Sequence, residues 1–248
     1  MSHSDPFASL TPHTPFDIRR RKARLVVSPR GGPIRLIITG RKVIPTGRWY
    51  STKNGRCMPW ESKAERDLCI VAEADTDVIR FLVQPHRLEI DVGEARPLVY
   101  IPDAEHVLAS GVTEIIEVKR AGEKLEPDYE RKLELAAEIY RGLGWRFRIM
   151  RDAEIRREPR FPNAKIIASH GPTLVTSEET LAALDLIDRP GGSTYGCVGD
   201  VLGGGPQGVA RLHALVVRRL LTFDLDRPIR SNIPVTLVAD HPDRRRPA

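Results

Sequence analysis

"YIPDAEHVLASGVTEIIEVKR", residues 100–120, decides how the chain is read. Val99-Tyr100-Ile101 and Ile115-Ile116 are apolar approaches to two short strands, predicted over 97–103 and 112–119 and joined by a polar turn. Charges stand where the strands end: Asp103 behind Pro102 on the first, Glu117 and Lys119 on the second. Side chains alternate along a strand, so Glu117 and Lys119 share a face, and the turn lets Asp103 approach it from the neighbouring strand. Taken singly, each pair is bland. Pro-Asp is frequent in turns, and Glu-x-Lys is usually a solvent-facing ion pair. Together they offer hard oxygen ligands of the kind Mg²⁺ prefers. The lysine beside them can orient or help deprotonate a bound water and stabilise charge developing on phosphate. Those are the parts that phosphodiester hydrolysis requires.

Working outward, "WESKAERDLCIVAEAD" (60–75) repeats Ala64, Leu68, Val71 and Ala72 at helical spacing. Glu61 and Glu65, four apart, would then share one face, and either could supply a third carboxylate. Strands are predicted over 33–40, 78–84, 87–92 and 145–150, with a hairpin or loop turned at Asn54-Gly55. A second helix, 126–143, carries a stripe of Tyr129, Leu133, Ala136, Ala137 and Tyr140 and stops at Gly144. This order implies an α/β fold with a mixed sheet flanked by helices.

Beyond about residue 155, helices over 177–187 and 208–221 flank a glycine-rich stretch, and "LTFDLDRPI" and "IPVTLV" read as strands. Helices followed by a β-hairpin have the layout of a winged helix. "GGGPQG" (203–208) lacks the Lys-Ser/Thr of a phosphate loop and reads as a linker or wing turn. His170 and His213 stand alone, and Arg211, Arg218 and Arg219 suit either a DNA-facing helix or a solvated face.

Charge is unevenly placed. Residues 1–60 hold 12 Lys/Arg against 2 Asp/Glu, including "RRRKAR" at 19–24 and the pair Lys53 and Arg56, whereas the remainder is net negative. A positive field at the front favours a polyanion, nucleic acid above all, and makes Lys53 and Arg56 candidate DNA contacts. No apolar run approaches a membrane span, no secretory signal is evident, and three scattered cysteines make no disulfide framework. A cytoplasmic setting without a membrane partner is expected. The expected organisation is a basic, loosely ordered leader (1–30), an α/β domain (31–155), a winged-helix-like domain (156–240) and a disordered tail (241–248).

Pro102-Asp103 with Glu117-Val118-Lys119 forms the PD-(D/E)XK pattern of restriction-endonuclease-like proteins. With Ser62-Lys63-Ala64-Glu65 and Gln84-Pro85, residues 45–120 resemble TnsA-type transposon endonucleases. The resemblance implies a restriction-endonuclease-like nuclease domain and selects Glu65 as the helix acid. It implies catalysis by Glu65, Asp103, Glu117 and Lys119. Mg²⁺, for which Mn²⁺ would substitute, would sit on the three carboxylates and the Val118 backbone carbonyl, with Gln84 supporting. It further implies a bacterial protein that cuts double-stranded DNA at transposon ends, beside a DDE-type transposase and an AAA+ ATPase regulator. A stand-alone nuclease for restriction or repair and a catalytically silent DNA-binding adaptor are the alternatives.

Overall fold

The computed structural model describes residues 15–18, 21–35, 45–190 and 193–239. Strands β1 (Pro15–Ile18) and β2 (Arg21–Val27) precede a hairpin of β3 (Gly47–Ser51) and β4 (Arg56–Trp60). Its turn uses Gly55 at φ +61°, as Asn54-Gly55 predicts. Then come α1 (Lys63–Ala74), β5 (Val78–Val83), β6 (His86–Ile90), β7 (Leu98–Tyr100), β8 (Ala104–Leu108) and β9 (Thr113–Lys119). Helix α2 (Pro127–Gly142), strand β10 (Arg146–Arg151) and helices α3 (Asp152–Ile155) and α4 (Arg160–Ser169) follow. The chain continues through α5 (Ser177–Ile187), β11 (Ser193–Thr194), α6 (Tyr195–Val201), α7 (Gly205–Val217), β12 (Leu221–Thr222) and β13 (Pro234–Leu237).

The central sheet runs β10-β9-β8-β5, with β9 and β10 parallel and the other pairs antiparallel. Strand β9 is buried on both faces. Ile115 packs in one cluster with Leu133, Ala136, Ile139 and Tyr140 of α2, while Ile116 packs with Leu68 of α1 and with Ala104 and Ile155. Adjacent isoleucines facing opposite ways are what a two-sided strand requires. A second sheet, β1-β2-β6-β7, lies under the same α2 cluster through Leu25, Leu88, Ile90 and Tyr100. The architecture is therefore mixed α/β, as the order of elements implies.

Several expectations change. The strands predicted over 97–103 and 112–119 do not pair. Strand β7 stops at Tyr100 and joins the second sheet, and Asp103 immediately precedes β8, which lies in the stretch read as a turn and pairs with β9. Strand β8 escapes a hydrophobic-pattern reading because its inward residues include Glu105 and His106, both buried. The first helix starts at Lys63 behind the cap Ser62, so Glu61 lies outside it, not on a shared helical face. Residues 21–27 of the expected loose leader are a strand hydrogen-bonded along β6, with Ala23 and Leu25 in the core. Of the strand expected over 33–40, residues 33–35 are irregular and 36–40 lie outside the described residues, as does the tail from 240. "GGGPQG" is no linker: Gly204 caps α7 and Gly205-Pro206 begin it, while the glycine-rich stretch before it contains α6.

The C-terminal helices share a core with α1. Ile70 and Ala74 pack with Ala164, Ile167, Leu212 and Leu215. Polar ties run alongside: Arg160 pairs with Asp75 at 2.5 Å, Arg219 Nε donates to the Thr76 carbonyl at 2.8 Å, and the Thr76 and Thr222 hydroxyls meet at 2.8 Å. Among the described residues no helix is long and apolar enough to cross a membrane.

Helices α6 and α7 cross where two glycines meet. A Cβ on Gly208 would lie 2.0 Å from the Gly199 carbonyl oxygen, and backbone cannot yield as a side-chain tip can. Gly208→Ala is expected to destabilise the protein by about 3 kcal/mol or more, measured by urea unfolding. An unchanged midpoint would show that the crossing is looser than described.

Candidate active site

Helix α1 begins at the site. The Ser62 side chain accepts from the Glu65 N–H at 3.1 Å, and Glu65 Oε2 reaches back to accept from the Glu61 N–H at 2.9 Å. Ser-x-x-Glu is thus a helix-start device as well as a motif. It fixes the Glu65 carboxylate at the helix N-terminus. Burial raises the Glu65 pKa and the neighbouring Glu61 charge adds to this, against the Glu61 amide and Ser62. Glu61 Oε1 accepts from Arg35 at 2.5 Å and from Gln84 Nε2 at 3.3 Å.

Gln84 sits where β5 passes to β6, with a left-handed φ of 44° unusual for a residue with a side chain. Its N–H donates to the Asp103 carbonyl at 3.0 Å, which pins the two strand ends together. Its side-chain oxygen is buried and meets no partner among the described residues.

Asp103 precedes the Ala104–Ile116 pair of β8 and β9 and accepts at Oδ2 from the Val118 N–H at 2.7 Å. The N–H and C=O of one strand residue point the same way, so the Val118 carbonyl faces this end of the sheet too. Burial first, then the charges of Glu117 and Glu65, push the Asp103 pKa well up, against the Val118 amide and Lys119.

Glu117 is 2% exposed and held from three sides. Tyr100 donates to Oε2 at 2.7 Å and Tyr129 to Oε1 at 2.5 Å, while Lys119 Nζ stands 2.8 Å from Oε1. Lys119 also donates to the Tyr129 hydroxyl at 3.3 Å, its ammonium 4.5 Å from the ring centroid. Burial opposes charge on Lys119, but the hydrogen bond and charge of Glu117 outweigh it and hold the pKa above the ordinary lysine range. Burial, with Glu117's acceptor oxygens, raises the Tyr100 and Tyr129 hydroxyls, so both remain donors.

Glu65, Asp103, Glu117 and Lys119 therefore act on one another electrostatically, as the sequence pattern leads one to expect. Yet among the described residues no group of three or more His, Cys, Asp or Glu is arranged as a metal cage. Both Glu117 oxygens and Glu65 Oε2 already serve protein donors, whereas Asp103 Oδ1 and Glu65 Oε1 have none among the described residues. The donor set, hard oxygens whose repulsion a cation relieves, fits Mg²⁺ at Asp103, Glu65 and the Val118 carbonyl. Glu117 would share its oxygens between a cation and the hydroxyls of Tyr100 and Tyr129. Tyr100 and Tyr129 were invisible as site residues: one reads as strand core and the other as helix stripe, and only tertiary contact brings both hydroxyls to Glu117.

Both expected DNA contacts make hydrogen bonds within the protein. Lys53 Nζ donates to the Ala72, Asp75 and Val78 carbonyls at 2.7, 2.6 and 2.8 Å, closing the C-terminal end of α1. Burial draws its pKa down to about 7, against the charges of Asp75 and Glu73. Arg56 donates to the Gly31 carbonyl. Arg211, Arg218 and Arg219 likewise serve the Leu202, Thr173 and Thr76 carbonyls. Nor do the histidines stand alone, since His170 Nδ1 meets His213 Nδ1 at 2.8 Å and His213 Nε2 meets the Tyr195 hydroxyl at 2.7 Å.

No protein-family model matches the chain, and no curated protein matches it.

Lys53→Met keeps the stem and removes three bonds to carbonyls that burial would then strand. A loss of about 2–4 kcal/mol is expected, with affinity for duplex DNA unchanged. Weaker DNA binding at unchanged stability would return Lys53 to the interface.

Proposed function

We propose that the protein is a divalent-metal-dependent DNA endonuclease with a restriction-endonuclease-like domain. The observation that carries this reading is the gathering at one sheet end of Lys119, 2.8 Å from Glu117, with a half-buried Asp103 that accepts from the intervening Val118 amide, Glu65 adding a third charge that acts on Asp103. A site built only for stability would not press three carboxylates together.

Asp103, Glu65 and the Val118 carbonyl would hold Mg²⁺, which supplies charge neutralisation and an activated water when bound. Lys119, ion-paired with Glu117, would stabilise charge developing on the phosphate oxygens. Glu117 fixes the Lys119 ammonium, and Tyr100 and Tyr129 fix Glu117. Gln84 ties the Asp103 backbone in register.

In the C-terminal part the order α5, β11, α6, α7, β12, β13, with the sheet order β11-β13-β12, supports a winged-helix-like reading. Its third helix, α7, buries Leu212 through Val217 and commits Arg211 to α5 and α6 contacts. That helix does not present a basic face to a groove. We therefore read this part as a protein-docking unit, consistent with a transposase or AAA+ ATPase partner in cleavage at transposon ends. A bacterial cytoplasm suits that role.

The test is cleavage of supercoiled plasmid by the full chain with Mg²⁺ or Mn²⁺. Lys119→Met is expected to lower the rate by about 10²–10³, and Asp103→Asn to abolish it. Stability separates chemistry from folding. Asp103 binds its proton more tightly in the fold than in the unfolded chain, so its ionisation costs stability increasingly as pH rises above 3.8. Asp103→Asn removes that cost. It is expected to melt no lower than the wild type at pH 7, and the difference should vanish at acid pH. Plasmid cut by Asp103→Asn at the wild-type rate would sink the proposal.

A further inference from the structure

Helix α2 brings a second cation to the site. Tyr129 and Lys132 are three apart, neighbours on one helical face, and long helical side chains lean towards the N-terminus. Lys132 thus lies back over Tyr129, its ammonium 4.6 Å from the ring centroid. The Lys119 ammonium stands 4.5 Å from the same centroid, so the two cations cannot be further apart than those two distances combined. Lys119 has Glu117 as its counter-ion. Lys132 is half-buried, and the Tyr129 ring is its one polar or charged contact among the described residues.

We propose that Lys132 is a substrate-binding residue that contacts a nucleic-acid backbone phosphate next to the one at Lys119, and that Tyr129 is the positioning residue joining the two. This rests on the nuclease reading above. A half-buried ammonium without a carboxylate keeps its full field for an anion, and the ring face restricts it without neutralising it. Successive phosphates on one strand advance by about 3.4 Å along the duplex axis, so two cations around one ring can serve neighbouring phosphates. Through its hydroxyl Tyr129 also orders the Glu117–Lys119 pair, so seating the backbone and aligning the site fall to one side chain.

The experiment measures binding of the full chain to a fluorescein-labelled duplex by anisotropy across a salt series, with Ca²⁺ in place of Mg²⁺ to hold off cleavage. Lys132→Gln is expected to weaken binding about five- to tenfold at 0.1 M salt and to make the slope of log affinity on log salt shallower by about 0.9. Lys132→Arg should restore both. Arg141→Gln, an equal charge loss at the other end of α2, should change neither. In a Tyr129→Leu background Lys132→Gln should cost much less, and in Tyr129→Phe, which keeps the ring, it should cost the same. Wild-type slope and affinity in Lys132→Gln would overturn the proposal and leave the nuclease reading standing. Equal cost in the Leu and Phe backgrounds would remove Tyr129 as the seat. A wild type with no salt-dependent affinity for duplex would overturn proposal and reading together.

Discussion

A carboxylate with almost no access to water must be matched by donors, and Glu117 is matched from three elements at once: Tyr100 of β7, Tyr129 of α2 and Lys119 of β9 itself. Leaving such a group uncompensated would cost several kcal/mol. Folding therefore has to bring the second sheet, the covering helix and the central strand together at one point. The same strand end anchors Asp103, whose Oδ2 accepts from the amide of Val118 between Glu117 and Lys119. Fold and site share one constraint.

Around that point the protein spends its cations internally. Lys53 closes the end of α1, Arg160 bridges Asp75 and Asp226, and Arg156 pairs with the buried Asp67. Arg156–Asp67 and Arg160–Asp75 tie the C-terminal helices to α1, whose Glu65 enters the site at its other end.

The motif was legible because strand alternation is strict. Once β9 is recognised, Glu117 and Lys119 must share a face, and the buried "EIIE" core follows. Strand β8 was not legible, since Glu105 and His106 carry their burial through tertiary partners rather than apolar pattern. Helix α6 was hidden by Gly196 and Gly199, which read as breakers but lie against Ser231 and Gly208 in close packing. Lys53 looked like a surface cation because nothing local reveals three carbonyls gathered from residues 72–78. The tyrosines around Glu117 sit 17 and 12 positions away, beyond any periodic signal.

The most direct measurement is calorimetric titration of the full chain with Mg²⁺ and Mn²⁺ in two buffers of different ionisation enthalpy. Burial and the neighbouring carboxylates push the Asp103 pKa up, and a cation bound there would favour the ionised form, so binding is coupled to proton release wherever Asp103 carries its proton. The nuclease reading predicts saturable binding by the wild type with buffer-dependent heat from proton release, and neither in Asp103→Asn. Equal binding by the variant, or no binding by the wild type, would contradict a metal-dependent site at the end of this sheet.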